Sequence, residues 1–172
     1  MTLTHLQRSA LCAALAQINS PHVQFWQEHQ NIDCAPYFKF LSKHLSFLRG
    51  ELKSEANLLR FHEDFMNWRE NLAEADNLAF RILELCNACL HSALESLFDP
   101  DCDDMALILG SLTALWDEMD ELGHNSQELR LYWQELEAEI LAQVGQKAQR
   151  PLAKDYFLLL KDADVSLFGL GN

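Results

Sequence analysis

The sequence predicts an all-α chain, a single-domain antiparallel bundle of six or seven helices. Three observations predict it. Apolar residues recur at three- and four-residue steps almost from end to end. No Asn-Gly hairpin and no run of alternating β-branched residues suggests a strand. All four prolines fall at segment edges, where helices begin or stop.

The elements follow in order. Leu6, Ala10, Leu11, Ala14, Leu15 and Ile18 mark one face of a first helix, with Thr4 placed to cap it. Ser20-Pro21 reads as an N-cap and a first helical position, opening a short segment with Val23, Phe25 and Trp26. A helix starts near Ala35-Pro36, carries Phe38, Leu41, Leu45 and Leu48, and stops near Gly50. Another opens at Ser54 with Leu58, Phe61, Phe65, Trp68 and Leu72. It breaks or bends at Ala75-Asp76-Asn77 and resumes through Ile82, Cys86, Cys89, Leu90 and Leu97.

Phe98-Asp99-Pro100-Asp101 is the clearest loop. The next helix runs from about Asp103 to Leu122, with Gly123 as its C′ residue. Asn125-Ser126-Gln127-Glu128 resembles a capping box and opens a helix ended by Gly145. A last helix carries Leu152, Tyr156, Phe157 and Leu160. Residues 1–163 form the bundle in this reading, and residues 164–172 a short apolar tail.

The 172 residues carry a formal net charge of −13. Most of it comes from one place. Between Arg81 and Arg130 stand eleven acidic residues and no lysine or arginine. A field so lopsided speaks about partners and not about fold. It disfavours direct nucleic-acid binding, which needs Lys and Arg against phosphate. The five cysteines have no regular spacing, which argues against a disulfide framework. The N-terminus lacks a signal-peptide pattern and no apolar run reaches membrane-spanning length, so a cytoplasmic protein off the membrane is expected.

No catalytic signature, cofactor motif or complete metal-ligand set can be assembled from spacing. The alternating aspartates Asp99, Asp101, Asp103 and Asp104 start like a calcium loop. Asp104 and Gly110 then stand where that loop needs Gly and Glu. Helix capping and dipole complementation are the preferred reading of these acids. Cys86-Asn-Ala-Cys89 sits mid-helix and reads as core thiols. His44, His62 and His91 match no Glu-x-x-His pattern and are expected as surface or satisfied core histidines. Nine aromatics fall between Phe25 and Trp68, and Phe38 and Phe40 cannot share one core stripe. One of that pair is therefore a candidate for lining a groove, with Phe40 first. Asp164-Val165-Ser166-Leu167-Phe168 resembles the peptide by which bacterial replication proteins dock onto the sliding clamp, with Asp164 where Gln usually leads. The preferred alternative is a tail that folds back and buries Leu167 and Phe168.

The acids Asp117, Glu118, Asp120, Glu121 and Glu128 remain without a local structural role. They are the expected docking face, for a protein partner with a basic surface. The expected function is that of a non-enzymatic interaction protein: an adaptor, inhibitor, chaperone or regulator. A DNA-mimic inhibitor is a sharper form of it. An enzyme or small-ligand carrier with an apolar pocket in the aromatic N-terminal half is the third reading. A homodimer stays open.

Overall fold

The computed structural model describes residues 2–146 and 149–171. It is all-helical, with eight helices among the described residues: α1 (His5–Ile18), α2 (Ser20–Gln30), α3 (Ala35–Leu48), α4 (Glu55–Glu70), α5 (Leu78–Phe98), α6 (Met105–Glu121), α7 (Gln127–Val144) and α8 (Lys154–Asp162). The count exceeds the expected six or seven because the segment opened by Ser20-Pro21 is a full helix of 11 residues; Ser20 is its first residue and not its N-cap, which is Asn19, without a side-chain cap bond. The only strand-like pairing among the described residues is an isolated bridge, Val165 to Gly171. Among the described residues no helix is long and apolar enough to cross a membrane.

α1 is the hub. From Ala10 to Ala16 it is apolar on every side, which favours burial on every side, and every residue from Leu6 to Ala16 is buried, Gln7, Arg8 and Ser9 included. Its alanines let neighbours approach closely, and α5 packs along most of its length. α2, α3, α7 and α8 pack around it as well. Thr4 caps it as expected, in a full capping box: Gln7 N donates to Thr4 Oγ1 at 3.1 Å and Thr4 N to Gln7 Oε1 at 2.9 Å.

Buried polar groups tie distant segments to this hub. Tyr37 Oη donates to Ala16 O and Tyr156 Oη to Ala10 O, each at 2.7 Å. Gln7 Nε2 donates to Gly145 O, also at 2.7 Å. Such bonds satisfy polar atoms that would otherwise be costly to bury.

The region 71–77 is a true break, because α4 ends at Glu70 and α5 begins only at Leu78, capped by Asn77. The capping box expected at Asn125–Glu128 does not form. Ser126 is the N-cap of α7 and its side chain makes no cap bond. Instead Asp120 receives both its N–H (2.8 Å) and its hydroxyl (3.0 Å), so the α6–α7 turn is tied from the preceding helix.

The segment after Ala163 packs against the helices, with Leu167 at 0 % exposure and Phe168 at 8 %. Leu167 N donates to Asn19 Oδ1 at 2.9 Å, and Trp116 Nε1 donates to Leu167 O at 2.8 Å. Of the residues that resemble a clamp-docking peptide, Ser166, Leu167 and Phe168 are buried, as the fold-back reading expects, while Asp164 and Val165 stay exposed.

Candidate functional site

α5 and α6 run antiparallel, because Arg81 near the start of α5 meets Glu118 near the end of α6. Ser92, further along α5, meets Asp104 at the start of α6. Between them lies an open cleft of about 560 Å³. Its floor is Leu85, Ala88, Ile108 and Leu115, and Leu107 stands on its lip at 73 % exposure. One end carries Arg69, Arg81, Glu84 and Glu118; the other carries His91, Ser92 and Asp104.

α6 is a peripheral helix, packed chiefly on α5. From Met105 to Trp116 it holds no charged residue. Met105, Ile108, Leu112, Leu115 and Trp116 face inward, while Ala106, Leu107, Gly110, Thr113 and Ala114 face solvent. Acids stand at both ends of this uncharged face: Asp99, Asp101, Asp103 and Asp104 before it, Asp117, Glu118, Asp120 and Glu121 after it.

The two arginines that bound the acidic stretch fold back onto it. Arg81 binds Glu118 through two nitrogens, the Nε contact at 3.0 Å, and Asp76 at 2.8 Å. Arg130 binds Asp117 at 2.7 Å and Asp120 at 3.2 Å. The guanidinium of Arg81 holds the Glu118 carboxyl below its usual range. Hydrogen bonding from Ser126, followed by Arg130, does the same for Asp120. Three of the five acids expected to form a docking face are thus ion-paired. Glu121 and Glu128 remain exposed, and none of the ion pairs described above includes them. α7 packs on α1 and α8.

The other sequence candidates resolve differently. Phe40 is fully buried against Phe65 (5.3 Å between centroids), His62 (5.2 Å) and His44 (6.2 Å), so it is core and lines no groove. Phe38 is half-buried, edge-on to Tyr37. The expected capping of α6 by these acids does not form: Asp104 is the N-cap, its side chain makes no cap bond, and the carboxylates instead brace the loop. Asp103 Oδ1 accepts from Met105 N and Asp99 Oδ1 from Asp101 N, while Asp104 Oδ2 accepts from Ser92 Oγ. Cys86 and Cys89 are buried, and burial pushes the Cys86 thiol up to about 12, which leaves it protonated and unreactive.

Sequence spacing did not pair Ser9 with His44, which lie 3.0 Å apart through His44 Nε2. A serine–histidine contact is the first half of a nucleophilic dyad. Here both side chains are wholly buried, and Ser9 gives its proton to Ala93 O at 2.8 Å. Nε2 must then carry the imidazole proton, which leaves Nδ1 as a buried acceptor without a partner. The pair is a packing device, with no route for a substrate.

Fully buried His44 and half-buried His22 contribute to the response to acid. Burial lowers the pKa of His44 to about 3 and that of His22, on α2 against Ser166, to about 4. The unfolded chain takes up these protons first, near pH 6.5. Their contribution to stability is therefore complete above pH 6.5 and is lost as pH falls towards 4, by up to roughly 3 kcal/mol for each. Melting temperatures measured from pH 7 to 4 should fall steeply, and His22→Gln should flatten part of that fall. A melting temperature constant over this range would refute the assignment.

No family model matches the chain, and no curated protein or solved structure is similar to it.

Proposed function

We propose that the protein is a non-enzymatic interaction protein whose α6 face and α5–α6 cleft receive an amphipathic helical segment of a partner. That segment would have an apolar centre and basic residues at both ends. The observation that carries this reading is the uncharged outer face of α6, about 18 Å long at 1.5 Å per residue, with acids at both ends and Leu107 standing free beside an apolar cleft. An exposed apolar patch rimmed by polar groups is the usual character of an interaction surface, and here Leu107 supports the reading only together with the apolar floor of the cleft beside it. The acids would steer a basic partner and fix its orientation, with most of the affinity coming from the apolar centre.

The DNA-mimic reading is weaker, because Arg81 and Arg130 interrupt the acidic array at Asp117, Glu118 and Asp120. A carrier pocket in the aromatic N-terminal half is weaker too, since Tyr37, Phe40 and Phe65 fill that space with each other.

The test is fluorescence anisotropy with two labelled helical peptides. They share an alanine–leucine centre and differ in having lysines or glutamates at both ends. The lysine peptide should bind, and salt should weaken it. Leu107→Glu should cost more than about tenfold in affinity and leave the melting temperature unchanged, because the side chain is exposed. Equal binding of the two peptides, or full affinity in the Leu107→Glu protein, would refute the proposal.

A further inference from the structure

At the His91 end of the cleft, three metal-ligating side chains from two helices converge. His62 projects from α4; His91 and Glu95 lie one turn apart on α5. His62 Nε2 and His91 Nδ1 are 3.0 Å apart, with the two rings nearly parallel at 17°. His91 Nε2 and Glu95 Oε1 are 3.9 Å apart. One ligand atom from each of the three residues lies within 4.8 Å of the others, and all three side chains are half-buried.

We propose that His62, His91 and Glu95 form a binding site for a divalent transition ion of the zinc type. Ligands at about 2.0–2.1 Å around a tetrahedral ion stand roughly 3.3 Å from one another. The His62–His91 spacing is already close to that edge. With His91 Nδ1 as the ligand atom, Glu95, whose 3.9 Å contact is to Nε2, would swing towards the ion by a rotamer change. Two imidazoles select a borderline ion over calcium or magnesium, which prefer all-oxygen sets.

The surroundings suit the role. The Phe40 ring packs on His62 and fixes its plane. The charged groups near His91 are Arg69 on α4, paired with Glu84, and Asp104 at the start of α6. His91 also lines the α5–α6 cleft, so a fourth coordination position would open there to water or to a ligand. Three protein ligands with one open position is the pattern of a reactive or ligand-accepting site, in contrast to a closed structural one. The N–H now shared between the two neutral rings would move to the other nitrogen of the ring that carries it, leaving both facing nitrogens free for the ion. The site does not depend on the docking role proposed for α6, and its test uses no peptide.

Metal-stripped full-length protein would be titrated with Co2+, followed by visible d–d absorption, and with Zn2+ by calorimetry. The expected result is saturation at one equivalent, with Zn2+ displacing Co2+ and raising the melting temperature. His62→Gln, His91→Gln and Glu95→Gln should each weaken binding by more than about tenfold. His124→Gln, at an exposed histidine outside the cluster, should not. Glu95→Gln keeps shape and perturbs little of the core, so it decides the matter even if a histidine variant folds poorly. Absence of saturable binding at about 0.1 mM of either ion, well above the range expected for a zinc site, would overturn the proposal. So would binding that survives all three substitutions, and the cluster would then be a histidine–histidine hydrogen bond alone.

Discussion

Deleting the chain after Ala163 will lower the unfolding free energy by about 5 kcal/mol, because it removes the buried side chains of Leu167 and Phe168 together. It also strips the hydrogen-bond partners from the Trp116 indole and the Asn19 amide, both buried. A domain of this kind has only about 5–15 kcal/mol in total, so the truncated protein should be largely unfolded or molten at 37 °C. Leu167→Ala alone should cost about 3 kcal/mol. Urea unfolding of the three proteins measures both effects. A truncation that melts within about 1 kcal/mol of the parent would show that the segment merely rests on the surface.

Phe40→Ala will cost about 3–5 kcal/mol, since it opens a cavity among Phe65, His62 and His44 in the interior between α3 and α4. Phe38→Ala, two residues away and half-buried, should cost about 1 kcal/mol. The contrast separates a core role for Phe40 from a groove role. If Phe40 lined a groove, its truncation would be mild and would act on binding; as core, it acts on unfolding and leaves docking at α6 intact. Equal midpoints for the two variants would sink the core assignment.

Much of this fold was legible in the sequence for a plain reason. Helix starts and stops are local events, written in Thr4, Asn77, Gly123 and Gly145, and each of these sits at a helix boundary. The fold-back of Leu167 and Phe168 could be anticipated because two large apolar side chains are costly to leave in water. What escaped the sequence is everything that depends on which helix lies beside which. His62 and His91 are 29 positions apart, so no spacing rule links them. Ser9 and His44 are 35 apart. The same blindness made the stretch from Arg81 to Arg130 look uniformly negative, because the two arginines that bound it lie outside the count and inside the surface.

The placement of Leu167 has a consequence for how the protein is made. A ribosome delivers α1 and α2 almost 150 residues before the segment that closes over Asn19 and His22. Until residue 167 clears the exit tunnel, Trp116 has no acceptor for its indole and the apolar surface beside α2 stays open. A chain that folds as it is made therefore carries an exposed apolar seam beside α2 until the segment holding Leu167 and Phe168 docks over it.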